Sequence, residues 1–435
     1  MYDNQIKEGI EVFEKKKFIM FLTLTLIFIF AVTASGFFGF FQSDDEEEVK
    51  TLSIWTRDYS ADLLEDSVKM FNEKDNDIKI EVTSFPIANF SDQFSAALSA
   101  GSEPDIVSLD LVLAPYYSSV GAFSDISDEV ESLEFKDELI DSMLHLGQYE
   151  GAQYAVPFNA DVSALIYNKD HFREAGLDPE DPPVTWDELR EYADKLTTED
   201  RYGYVYAGGD PGGHMFTVMP YVWGNGGRVL NEDGTESLLN SAEAIEALEM
   251  FTNLTLEDQS TPSGVASYGW VQYEEAFTSG MASMMVNGNF IIPELNDNHP
   301  DKDYGVALIP KNEGGEHASF AGGELIAITD GTDYKEEAWE FIEFSMSEEI
   351  QIETWAKNGI MPVREDFFAN EYFEAEPRYQ VFAESLAFSH CPYTERYNEM
   401  YDPILSAMQN ALMGEITPEE AFYNAEQEIN DIIQR

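Results

Sequence analysis

The stretch TLSIWTRDYSADLLEDSVKMFNEKDNDIKIEVTSFP, residues 51–86, decides the fold. Its opening run Thr51–Thr56 reads as a buried strand, and Ser60 stands where a helix N-cap is needed before Leu63, Leu64, Val68 and Phe71 recur at helical spacing. Ile78–Val82 then alternates as a second strand. Farther on, Phe94–Leu98 falls on another helix that stops at Gly101, and Ile106–Leu109 is a short apolar run between turn residues. The order is β-α-β-α-β. Strands joined by helical crossovers run parallel, so the expected class is α/β.

The same grammar resumes after residue 150. Glu150-Gly151 makes a hairpin turn ahead of a strand at Tyr154–Phe158, and Ser163–Tyr167 is a further strand leading into a helix that ends at Gly176. Thr185 and Glu188 have the spacing of a capping box for a helix through Leu196. Tyr202–Tyr206, Met281–Val286 and Tyr304–Ile309 continue the strands, with a helix from Ser241 between the first two. From Tyr334 to Lys357 the pattern is helical, and Thr417, Pro418 and Glu420 announce a last helix with another capping box.

A chain of 435 residues exceeds what one hydrophobic core usually serves, so two lobes are expected. Asp and Glu number 84 against 24 Lys and Arg, a formal charge of -60 whose field repels phosphate backbones and excludes nucleic acid as a partner. So large an imbalance repels the compact state unless salt screens it, which points to a saline, halophilic setting. The single cysteine, Cys391, rules out an intramolecular disulfide and a thiolate metal cluster. The six His are scattered, and Gly208-Gly209-Asp210-Pro211-Gly212-Gly213 lacks the lysine of a phosphate-binding loop, so neither a metal nor a cofactor is expected.

Lys15, Lys16 and Lys17 precede an uncharged stretch from Phe18 to Phe41, and Ser43–Glu48 then turns acidic. Basic residues stay on the cytoplasmic side, so the following domain is expected outside the membrane. Val32 and Ala34 suit cleavage after Ala34, yet residues 18–41 are also long enough to span a bilayer as an anchor; both readings stay open. No cysteine in this leader offers a lipid attachment point.

In open α/β sheets ligands sit beyond the carboxyl ends of strands. Trp55 and Arg57 follow the first strand and Asp110 the third. An indole can stack on a pyranose face, and guanidinium or carboxylate groups bind paired hydroxyls with fixed geometry. Trp55 reads equally as a core tryptophan and Arg57 as half of a surface ion pair. Asn159 and Asp161, in Pro157-Phe158-Asn159-Ala160-Asp161, mark the passage into the second unit; the alternative is that they cap a turn. Trp223 beside Gly224-Asn225-Gly226-Gly227, Trp270 ahead of a helix, and Asn289 between Gly288 and Phe290 carry the same double reading.

Together, Pro104-Asp105-Ile106-Val107, Tyr154 to Asp170 ending in Ile166-Tyr167-Asn168-Lys169-Asp170, Phe277 to Asn289 with Ser279-Gly280-Met281-Ala282-Ser283-Met284, and Ala321-Gly322-Gly323 to Ile328 form an ordered set. In it the chain resembles the sugar-binding family of extracellular solute-binding proteins, relatives of maltodextrin-binding protein, from about Leu52 to Phe368. The resemblance implies a two-lobed type II periplasmic-binding-protein fold with hinge crossovers near Val162–Leu165, Ala318–Gly322 and Met361–Val363, and a ligand cleft between the lobes. It implies an N-terminal lobe of residues 51–161 plus 322–362 and a C-terminal lobe of 162–321 plus 363–435. Residues 1–17 then form a cytoplasmic region, 18–41 the signal or anchor and 42–50 an acidic linker. Carried over as cleft-lining are Asn159, Asp161, Asn289, Gly323 and Glu324, joined by Trp55, Trp223, Trp270 and Arg396. The implied partners are a sugar or oligosaccharide and the membrane permease of an ABC importer, with the protein a monomer and not an enzyme. A secreted glycoside hydrolase, or a receptor for a non-sugar solute, is the alternative.

Overall fold

Apolar residues on both faces of the first strand explain its place deep in a sheet. In the computed structural model, which describes residues 49–74, 77–231 and 234–435, β1 (Lys50–Arg57) buries Leu52 and Ile54 completely. It lies between two parallel neighbours, β2 (Ile78–Phe85) and β3 (Ile106–Asp110). The crossovers are helices, α1 (Ala61–Asn72) between β1 and β2 and α2 (Ile87–Ala100) between β2 and β3. Gly101 ends α2 in the left-handed conformation, φ 63°, as its position predicts. Ser60 does not cap α1 with its side chain; its hydroxyl meets Thr56 Oγ1 at 3.0 Å instead.

The expected pair of strands on either side of Asn159 and Asp161 is one continuous strand, β4 (Ala155–Asn168), buried along its whole length. The polar side chains at its middle mark where one strand passes from one half of the sheet to the other, as the passage reading expected, and do not cap a turn. Ala155–Val162 of β4 pairs antiparallel with the later strand described below, while Ser163–Tyr167 pairs with a different neighbour. The hairpin before β4 forms as read, with Glu150 and Gly151 both at positive φ between Tyr149 and Ala152.

Beyond β4 come β5 (Tyr202–Val205), β6 (Ala282–Gly288), β7 (Tyr304–Ala307) and β8 (Ser319–Ile328). The sheet runs β2-β1-β3-β8-β4-β6-β5, with β7 also on β4. The carboxyl end of β8 is antiparallel to β3, Glu324 standing opposite Asp110. A bulge between Glu324 and Leu325 shifts the β8–β4 register. Gly323 supplies the φ of 116° that this kink requires, and a Cβ there would sit 2.2 Å from the Asn159 carbonyl oxygen. A third passage runs beside these two: Ala160 and Met361 exchange backbone hydrogen bonds of 3.2 and 3.0 Å.

Two apolar cores flank this arrangement. One gathers Leu52, Ile54, Phe71, Ile326 and Trp355, the other Phe94, Leu109, Tyr204, Phe251 and Phe422. The capping box at Thr185 and Glu188 is present in both directions, 3.2 and 3.0 Å. At the last helix (Pro418–Ile433) only half of the expected box forms: Thr417 Oγ1 accepts from the Glu420 amide at 3.1 Å. The region 334–357 is not one helix but a helix at Lys335–Ser345 followed by short turns to Asn358. The expectations for residues 1–17 and 18–41, and all of 42–50 before Val49, lie outside the described residues. Among the described residues no helix is long and apolar enough to cross a membrane.

Candidate functional site

Arg57 is the last residue of β1, and its side chain turns across the sheet ends to meet two acids. Nη1 donates to Asp110 Oδ2 at 2.7 Å and Nε donates to Glu324 Oε1 at 2.9 Å. Parallel β1 and β3 put Arg57 and Asp110 at the same edge, and antiparallel β8 brings Glu324 beside them. Glu324 is completely buried; its second oxygen accepts from Ser108 Oγ at 3.0 Å and Asn159 Nδ2 at 2.9 Å. Burial disfavours the guanidinium charge, but Asp110 and Glu324 outweigh that and hold Arg57 above its ordinary pKa.

Asp161 completes this floor. It stands opposite Gly322 on β8, is only 5% exposed, and its Oδ1 has no hydrogen-bond partner among the described residues. The Tyr59 hydroxyl is 3.5 Å from its other oxygen, too long for a strong bond. Burial, then repulsion from Asp110, push its carboxyl up to about 7 against the opposing pull of Arg57. Gly322 is needed here, since a Cβ would lie 2.0 Å from Asp161 Oδ1.

Facing this floor is an aromatic wall. Phe216 packs edge-on against Trp270, Phe290 and Phe320, with ring centroids 5.5, 5.9 and 4.8 Å away. Floor and wall enclose a cleft of about 890 Å³, to which Tyr59, Tyr397 and Tyr401 also contribute. Its size and its mixture of apolar walls with a few converging polar groups suit a small ligand. Among the described residues no cluster of His, Cys, Asp and Glu is arranged to hold a metal ion.

Of the residues singled out from sequence, Arg57, Asp110, Asp161, Trp270 and Gly323 line this cleft, Gly323 through its backbone. Glu324 and Asn159 lie beneath it and hold Arg57 in place rather than facing the cavity. Asn289 is tied into the passage between the sheet halves: Oδ1 accepts from the Val162 amide at 2.9 Å and Nδ2 donates to the Gly359 carbonyl at 2.8 Å. Trp55 does not lie past β1 but within it, paired with Thr83 and Val107, its ring 4.6 Å from Phe85. Trp223, near-parallel to Phe320 at 6.2 Å, and Arg396, bonded to the Ile432 carbonyl at 2.9 Å, line a second cavity of about 690 Å³. That cavity also holds His390 and Cys391, and it shares Met215, Tyr397 and Tyr401 with the cleft. Burial raises the Cys391 thiol well above its ordinary value, which suppresses the reactive thiolate.

The sequence reading missed Tyr59, Phe216, Phe290 and Phe320. Phe290 follows Asn289 directly and could have been found by the same end-of-strand argument. Phe216 and Phe320 carry no such signal, because single phenylalanines in apolar runs read as core.

A family model described as bacterial extracellular solute-binding protein matches residues 55–352. An arabinooligosaccharide-binding protein from Halalkalibacterium halodurans is 26% identical over 416 residues, covering 90% of this chain and 92% of that protein. The crystal structure of an ABC transporter solute-binding protein from Thermotoga lettingae bound with alpha-D-tagatose superposes with a TM-score of 0.79 at 28% identity, covering 88% of this chain and 100% of that one. A cyclic alpha-maltosyl-1,6-maltose binding protein from Arthrobacter globiformis gives 0.79 at 26% identity over 88% and 99%. The architecture is therefore the two-lobed α/β fold of type II periplasmic binding proteins. These relatives are binding proteins rather than enzymes.

Proposed function

Since the chain belongs to the bacterial extracellular solute-binding protein family, we propose that it is the substrate-capturing component of an ABC importer, taking a sugar or oligosaccharide into the cleft and delivering it to the membrane permease. The observation that carries this reading is the cleft itself, where Arg57, fixed by Asp110 and by the buried Glu324 beneath it, and Asp161 face the ring wall of Phe216, Trp270, Phe290 and Phe320. Charged planar groups held rigidly can orient hydroxyls, and flat apolar rings can cover the C–H face of a sugar. The sugar ligands of the related proteins support the same choice.

Residues 51–161 plus 322–362 and 162–321 plus 363–435 are the two lobes in this proposal. The passages at Asp161–Val162, Gly322 and Met361 are its hinges, a reading supported by the Gly323 kink and by the Asn289 clamp between two of them. The family places the domain outside the cytoplasm. An N-terminal signal or a retained anchor at 18–41, a monomeric state and the absence of catalysis are further parts of the proposal.

Titration calorimetry of the full chain with a panel of neutral mono- and oligosaccharides tests it, in a detergent without a sugar headgroup. Saturable binding of at least one sugar, without cleavage of the oligosaccharides, is expected. Cleavage would move the protein to the glycoside hydrolases, and binding confined to amino acids or peptides would overturn the sugar reading.

A further inference from the structure

The cleft offers a ligand almost no positive charge. Arg57 is its only Lys, Arg or His among the described lining residues, and its charge is already balanced, Nη1 donating to Asp110 and Nε to Glu324. Asp210, Glu274, Glu275, Glu294 and Asp402 add carboxylates farther along the walls. The floor therefore holds three acids, Asp110, Asp161 and Glu324, against one base. The unbalanced one is Asp161, nineteen-twentieths buried, lining the cleft, with Oδ1 unpartnered.

We propose that the cleft selects its ligand by charge, taking an amine-bearing sugar in preference to the neutral sugar of the same shape and rejecting the corresponding uronate, with Asp161 receiving the ammonium group. This rests on the sugar-binding reading and narrows it to a substrate class. A buried carboxylate without a cation is costly, and a hydroxyl donor repays only part of that cost, whereas an ammonium group supplies both the donor and the missing charge. The rise of the Asp161 carboxyl toward neutrality expresses the same imbalance: the site resists a second negative charge in the absence of a compensating cation. A ligand carboxylate or phosphate would meet Asp110 and Asp161, with the Arg57 charge already balanced by Asp110 and Glu324, so like-charge juxtaposition disfavours it.

The test compares matched triplets at pH 7 on the full chain by calorimetry and thermal shift. The probes are the homodisaccharides of glucose, glucosamine and glucuronate, of galactose, galactosamine and galacturonate, and of mannose, mannosamine and mannuronate. In whichever series binds, the amine form is expected to bind at least tenfold tighter than the neutral parent, and the uronate at least tenfold weaker. Asp161→Asn should bring the amine-to-neutral ratio close to one, whatever it does to the neutral affinity itself. Neutral sugars that bind as tightly as their amines, or uronates that bind as tightly as either, would overturn the charge selection and leave the sugar reading standing. Failure of every sugar, in a protein that melts cooperatively, would overturn the sugar reading and the selection with it. The wild-type triplets decide the matter even if the Asp161 variant does not fold.

Discussion

Arg57 and Trp270 face the same cleft but are held there in different ways. Arg57 is fixed by two carboxylates on two other strands, each positioned by sheet register, and one of those carboxylates has its own hydrogen-bonding support from Ser108 and Asn159. Trp270, at the first position of its helix, is held mainly by packing against Phe216, Tyr273 and Phe290, with a side-chain hydrogen bond to Glu274 beside it. Around Arg57 the floor is therefore a network in which removing one member strands another, while the wall is a set of rings that tolerate loss one at a time. Preorganised charge orients a ligand; replaceable rings supply area.

The contrast breaks most sharply at Glu324. Glu324→Ala leaves Arg57, Ser108 and Asn159 without a buried acceptor, and is expected to cost about 3–5 kcal/mol of stability, the usual price of breaking a buried ion pair. Urea denaturation reads it directly, and a cost below about 1 kcal/mol would mean that the floor is not a connected network.

Asp161 sharpens the comparison through pH. Its folded-state carboxyl at about 7 lies above the ordinary 3.8, so between these values the folded protein binds more protons than the unfolded one. The stability it contributes is present below about pH 4 and is lost as pH rises through 7. Relative to Asp161→Asn, the wild type should lose on the order of 2–4 kcal/mol across that window. Parallel pH profiles for the two proteins would show that the carboxyl is not perturbed in the folded state.

On the wall, Trp270→Ala should weaken sugar binding by about 2 kcal/mol with a modest loss of stability, as expected for one aromatic anchor. Trp55→Ala should do the reverse, lowering stability through lost packing on Phe85 and leaving affinity nearly unchanged. Calorimetry on both variants separates a tryptophan that faces the cleft from one that only braces it. An affinity loss at Trp55 equal to that at Trp270 would dissolve the distinction.

The smallest effect per residue belongs to the surface. With a formal charge of -60, the full chain should gain melting temperature between dilute buffer and molar NaCl, as the Debye length falls from about 30 Å to about 3 Å. A neutral salt with little Hofmeister effect should reproduce most of the gain. The buried Arg57–Glu324 pair, shielded from solvent, should contribute little to that slope, so the salt dependence of Arg57→Met should match the wild type. A flat or falling melting temperature would remove the inference of a saline setting.

Much of the architecture was legible from local pattern. Apolar runs, Gly101 and Gly176 as helix stops, the Thr185–Glu188 box and the Glu150-Gly151 turn all depend on interactions within a few residues, and all of them form. At Asn159 and Asp161 local pattern left two readings open, a passage between units or a turn cap, because polar residues inside a strand resemble a turn until the strand's partners are known; the passage is what forms.

The amino-acid sequence by itself determined the α/β class, the order of strands and helices, the acidic surface and the family, since each is written in short-range periodicity, in composition or in motifs read one after another. Tertiary structure alone decided which of the singled-out residues face the cleft. Asp110 and Glu324 lie 53 and 267 positions from Arg57, and the three meet only because antiparallel β8 is inserted between β3 and β4. Trp55 and Trp270 look alike as tryptophans at the ends of predicted elements, yet one is enclosed by two neighbouring strands and the other opens on the cavity. Side-chain direction in a sheet alternates with every residue and depends on register, a long-range property, and for that reason the cleft could be expected from the chain but its lining could not.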